Sequence, residues 1–133
     1  MTPGNRFARR VFLIAGIYGV LVVLPQYSLE ARIGRDSPPP ITHPEYFYGF
    51  IGVALAWQVA FLLIARDVQR YRLLMLPAIL EKVTFGVAAV LLYANGRVSG
   101  SLVGGGIVDL ILALLFALAF WATRAAPAPV VRS

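Results

Sequence analysis

The sequence has no cysteine in its 133 residues, only one histidine and only six acidic residues. Without cysteine the chain forms no internal disulfide and offers no thiolate nucleophile, cysteine zinc site or cysteine-held iron–sulfur cluster. One histidine, His43, excludes a bis-histidine haem and a three-histidine metal centre within one chain. No metal and no cofactor is therefore expected. Charge is scarce as well: 14% of residues are Asp, Glu, Lys or Arg, against about 25% in soluble domains. What fills the space is apolar: 59% of the chain is hydrophobic, above the roughly 45–50% of soluble domains. This is the composition of a membrane protein.

A helix that crosses a bilayer needs about 20 mostly apolar residues. Four stretches meet that length, at about 11–29, 47–65, 73–94 and 102–122. Pro25 interrupts the first late, and Gln58 is the one strongly polar residue of the second. The third contains Pro77, Glu81 and Lys82, and the fourth contains Asp109. No alternating pattern competes with these runs, and an open sheet could not satisfy its backbone in lipid. The reading is an all-α polytopic membrane protein, one four-helix transmembrane domain over 1–133. The glycine run Gly104-Gly105-Gly106 is no phosphate loop, since no Lys-Ser/Thr follows it. It suits close helix packing.

Charge placement orients the chain. Arg6, Arg9 and Arg10 precede the first segment, Arg66, Arg70 and Arg72 link the second and third, and Arg124 and Arg132 follow the fourth. Only Arg32, Arg35 and Arg97 fall on the opposite side. The positive-inside rule places both termini in the cytoplasm, as an even number of crossings requires. Anionic lipid head groups are the expected partners of these residues. Nucleic acid is not, because the basic residues gather in no patch with interleaved aromatics. Arg9-Arg10-Val11-Phe12-Leu13 resembles a twin-arginine export core, but no small-residue cleavage pattern follows, so the first segment reads as a retained membrane helix.

The longest connection joins the first two segments. Ser37-Pro38-Pro39-Pro40 favours a stiff, extended path there. Tyr46, Phe47 and Tyr48 stand where the second helix meets the outer interface. They read as an aromatic belt or, with His43 and Glu45, as the mouth of a binding cavity.

Ionisable residues at membrane depth cost about 2.5–3.5 kcal/mol each on insertion scales, so Glu81, Lys82 and Asp109 need a reason. Pro77, Glu81, Thr84 and Ala88 share one helical stripe, and Lys82, Gly86, Ala89 and Tyr93 the next. Gly106, Asp109, Ala113 and Ala117 form a small-residue stripe on the fourth segment. The second segment offers Gly49, Gly52 or Val53, Ala56 and Ala60, with Gln58 to one side. Small residues admit close helix approach, so these stripes are expected to converge in the interior of helices two, three and four. Pro77 is expected to free the carbonyl of Leu73 one turn earlier. The candidate polar cluster is Glu81, Lys82, Asp109, Gln58, Thr84 and Tyr93. It either neutralises its own charge and sets helix rotation, or lines a cavity for a polar head group, a proton or a substrate.

The order of features also carries a resemblance. A basic start and one helix are followed by a longer outer segment. The next helix reads Tyr48-Gly49-Phe50-Ile51-Gly52-Val53-Ala54 and ends in Ala65-Arg66-Asp67. Two more helices follow, parted by a Gly96-Arg97 turn. From Arg10 to Ala122 this layout resembles the DoxX-like group of small bacterial four-helix membrane proteins. The resemblance implies a bundle in a bacterial inner membrane and an association with quinone-linked oxidation or membrane partners. It implies no catalytic residue. The expected function is a non-enzymatic module that binds a lipid, a quinone-like molecule or a membrane-protein partner, including a second copy of the chain. The alternatives are a small proton-coupled transporter using Glu81 and Asp109, and a membrane enzyme on an apolar substrate with one of those acids as acid or base.

Overall fold

The structure, a computed structural model, describes residues 1–125; Arg132 lies outside them. The described residues form no strand and five α-helices: α1 (Pro3–Val23), α2 (Glu30–Asp36), α3 (Pro44–Arg66), α4 (Met75–Ala94) and α5 (Gly100–Ala122). All but α2 are long and apolar enough to cross a membrane. The membrane segments read from the sequence are thus present, with α1 starting earlier than expected. Thr2 caps that start: its side-chain oxygen accepts from the Asn5 N–H at 3.1 Å, and Pro3 follows at the first helical position. At the other end Pro25 converts the helix into a 3₁₀ turn over Leu24–Ser28.

Two details differ from expectation. The connection between α1 and α3 also holds a short helix, α2, ahead of the Ser37–Pro40 run, which the sequence pattern did not predict. It is tied to α3 because the Tyr48 hydroxyl donates to Glu30 Oε2 at 2.7 Å. Pro77 breaks nothing, because α4 begins at Met75. In a first turn the N–H that proline lacks would have had no helical partner.

The four long helices pack as a bundle in which α4 lies closest to α5 and α1 to α3. α1 also touches α5, whereas α3 and α4 meet only sparsely. The α4–α5 turn needs a glycine. Gly96 takes φ +68°, and the Arg97 and Gly96 N–H groups reach back to Leu92 and Tyr93 carbonyls at 2.9 Å. That is a Schellman cap, whose left-handed residue costs a side chain dearly. Lower in the pair, a Cβ on Gly106 would stand 2.5 Å from the Ala89 Cβ. Gly106→Ala should push α4 from α5 and cost about 1–3 kcal/mol. Gly104→Ala, where a Cβ meets open space, should cost nothing. Melting the two variants side by side in detergent checks this, and equal midpoints would contradict it.

One half of the bundle is densely packed. Phe12 from α1, Phe61 from α3 and Phe116 from α5 are fully buried. Phe12 stacks on Phe116 at 4.2 Å between ring centroids, and Phe61 meets Phe116 edge-on at 5.0 Å. Small residues (Ala8, Ala15, Ala65, Ala78, Ala119) fill the space around the rings. The same end gathers the start of α1, the α3–α4 link and the end of α5. Gln69 donates to Asn5 at 2.8 Å and to the Thr123 carbonyl at 3.3 Å. Arg72 donates to the Phe120 carbonyl at 2.6 Å and to Thr123 Oγ1 at 3.2 Å. A basic side chain on the last carbonyls of α5 suits the negative end of that helix.

Candidate functional site

The intramembrane charges stand just beyond the three phenylalanines. Lys82 lies about 10 Å along α4 from its start and Asp109 about 14 Å along α5, at a rise of ~1.5 Å per residue. Because the two helices are antiparallel neighbours, their side chains meet. Lys82 Nζ donates to Asp109 Oδ1 at 3.1 Å and stands 3.6 Å from Glu81 Oε2. The ammonium is also 5.4 Å from the centre of the Phe61 ring, whose negative face favours a cation. Lys82 is only 6% exposed, and the two carboxylates are more open.

Gln58 completes the cluster from α3. It is 2% exposed, and its amide Nε2 donates to the Ala54 carbonyl of its own helix at 2.9 Å. Its Oε1 is buried and accepts nothing, and so is Glu81 Oε2. Gly19 of α1 makes room for the amide, since a Cβ there would overlap Gln58 Oε1.

These groups line a cavity of about 280 Å³ in the half of the bundle opposite the phenylalanine core. All four long helices contribute: Tyr18 and Gly19 from α1, Gln58 from α3, Glu81 and Lys82 from α4, and Gly105 and Asp109 from α5. Four partly exposed apolar side chains, Tyr18, Val22, Phe50 and Leu102, also border it. Gln26 and Ser101 border it as well, and several of these side chains reach the bundle surface. That surface carries large apolar side chains on every long helix, among them Leu21, Val53, Leu80 and Leu114, as a lipid-facing surface does.

Comparison with known protein families, with characterised proteins and with solved structures finds no match to this chain. The site is therefore read from its own chemistry. Among the described residues no group of three His, Asp or Glu side chains could hold a metal ion.

The sequence-derived candidates divide. Glu81, Lys82, Asp109 and Gln58 come together. Thr84 does not join them: it is exposed, and its hydroxyl donates to Leu80 and Glu81 carbonyls of its own turn. Tyr93 is exposed too, near the end of α4. The buried stripe of α4 runs through Met75, Ala78, Lys82, Gly86 and Ala89. On α3 the expected stripe is not the buried one, and Gly52 and Ala60 are half-buried. The buried side of α3 is Ile51, Ala54, Gln58, Phe61 and Ile64, which puts Gln58 at the centre and leaves Gly49 and Ala56 exposed. Ala117 of α5 is likewise exposed.

None of the four mouth residues lines the cavity. His43 Nδ1 and Glu45 Oε1 pair at 3.3 Å in the open, and the His43 ring leans on Tyr46. Tyr48 stacks on Tyr27 at 6.1 Å, which joins the turn after α1 to the start of α3.

The contribution of α1 was missed because that segment carries no charge at depth. A signal exists all the same. Ala8, Phe12, Ala15, Gly16, Gly19 and Val23 recur at three- and four-residue intervals, which puts them on one face.

Proposed function

We propose that this chain is a small multi-pass protein of a bacterial inner membrane that binds an apolar molecule with one polar end in the four-helix cavity. It acts as a binding module and not as an enzyme. The observation that carries this reading is the mixed lining of the cavity, in which Gln58, Glu81, Lys82 and Asp109 stand with the apolar Val22, Phe50 and Leu102. A ligand whose polar end meets the polar side chains can lay its apolar body along the apolar lining. Lys82 and Asp109 are hydrogen-bonded to each other.

Orientation follows from the arginines. The α1 start, the α3–α4 link and the α5 end share one end of the bundle, with seven basic residues: Arg6, Arg9, Arg10, Arg66, Arg70, Arg72 and Arg124. That end belongs in the cytoplasm, against anionic lipid head groups. The DoxX-like layout supports the bacterial setting.

Gly105 borders the cavity and has open space where a Cβ would stand. Gly105→Leu therefore narrows the cavity without a backbone clash. Phenylbutanol should bind saturably to the wild-type protein in phosphatidylcholine nanodiscs, measured by calorimetry against empty discs, and bind the variant severalfold more weakly. Equal binding by the two proteins would sink this reading.

A further inference from the structure

We propose that the cavity is open to water at the end opposite the basic one and closed at the basic end, so that it takes a small amphiphile from that water and not a lipid from the bilayer; this rests on the cavity being the binding site. The buried apolar residues divide unevenly along the bundle. Toward the basic end one cluster joins all four long helices, through Ala15, Phe61, Ala78 and Phe116 among others. Toward the other end the second cluster, Val23, Ile51 and Ala54, belongs to α1 and α3 alone. There α4 and α5 pack on each other through Gly86, Ala89 and Gly106. The two helix pairs are therefore pinned together at the basic end, and at the other the cavity lies between them.

Polar groups mark that cavity from its open end inward. Gln26, in the turn after α1, and Ser101, in the first turn of α5, both border it. Asp109 stands eight residues further along α5, about 12 Å deeper at the rise of an α-helix. Ser101 and Leu102 also border a second hollow of about 700 Å³, walled by the Ser37–Pro39 run and the α4–α5 turn, with Asp36 and Arg97 on it. Hydrophilic side chains thus lead from the loops down to Lys82. Beneath Lys82 the way is shut: its ammonium stands 5.4 Å from the Phe61 ring, which meets Phe116 edge-on.

Water is the filling that such a wall selects. Ionisable side chains at membrane depth face a bundle interior or a water-filled cavity. Glu81 and Asp109 line this one and keep 21% and 15% of their side-chain surface open. A water molecule takes about 30 Å³ in the liquid, so 280 Å³ has room for several. Ligand pockets start at roughly 300 Å³, so this volume suits one small molecule and not a two-chain lipid.

The chain has no cysteine, so one introduced thiol reports alone. Gly105→Cys places it on the cavity wall, where a Cβ meets open space, and Tyr18→Cys probes the same cavity from α1. Ser99→Cys, exposed at the open end, is the water reference. Leu114→Cys, 62% exposed on the lateral surface, is the lipid reference. In sealed vesicles of each sidedness, a charged, membrane-impermeant methanethiosulfonate should modify both cavity thiols from the side that modifies Ser99→Cys. Their rates should exceed that of Leu114→Cys about a hundredfold, because the reactive thiolate is disfavoured in apolar surroundings. Saturating phenylbutanol should slow the cavity thiols and leave Ser99→Cys unchanged. Cavity thiols as slow as Leu114→Cys, or modified only from the basic side, would overturn the aqueous path, while phenylbutanol binding in nanodiscs would still uphold the cavity as a binding site. Fast modification that phenylbutanol does not slow would uphold the path and sink the binding site.

Discussion

Lys82→Met should lower stability by about 3 kcal/mol, because it leaves Asp109 and Glu81 as two half-buried carboxyl groups with no cation between them. The loss is larger than the worth of the ion pair itself. Lys82 and Asp109 attract each other strongly, but both pay to leave water, so the intact pair is close to break-even. Removing one member cancels the attraction and keeps the cost of the other. The double variant Lys82→Met with Asp109→Leu should therefore recover much of the stability that the single variant loses. Urea or thermal unfolding in detergent, followed through Trp57 and Trp121 fluorescence, separates the cases. A double variant as unstable as the single one would show that Lys82 acts through packing and not through Asp109.

The second large effect lies one layer below. Phe116→Ala should cost about 3–5 kcal/mol. Phe116 is fully buried and touches both Phe12 and Phe61, so its removal opens a void shared by α1, α3 and α5. Between membrane helices no hydrophobic drive replaces lost contact, since lipid tails are as apolar as the side chains, and packing itself holds them together. The void should also loosen Phe61, which stands under the Lys82 ammonium. Leu114→Ala is the control: Leu114 is 62% exposed on the outer face of the same helix and should cost less than about 0.5 kcal/mol. Matching losses for the two variants would contradict the packing described for this core.

How far the site was legible follows from these same residues. Glu81, Lys82 and Asp109 stood out because a charge in a long apolar run is rare and costly. Their antiparallel meeting was foreseeable from the short Asn95-Gly96-Arg97 turn, which leaves α4 and α5 no other neighbour arrangement. Gln58 was visible as a polar residue, but its place at the cavity centre was not. Thr84 was grouped with Glu81 on helical spacing, yet its hydroxyl is satisfied within its own turn. A polar residue that can satisfy itself locally need not face inward.

The number of membrane segments, the basic end and the three charges at membrane depth were determined by the sequence alone. Each follows from a local cost: backbone groups that must be bonded in lipid, arginines that stay at the interface, and ions that pay for depth. Which face of each helix turns inward was decided only by the tertiary structure. In water an amphipathic pattern marks the inner face, but lipid is as apolar as the core, so an apolar residue gives no sign of which way it points. That is why Gly49 and Ala56 of α3 lie outside while Gln58 and Phe61 lie within. Close approach settled the matter instead, with Gly19 against Gln58 and Gly106 against Ala89, contacts that exist only once the helices are side by side.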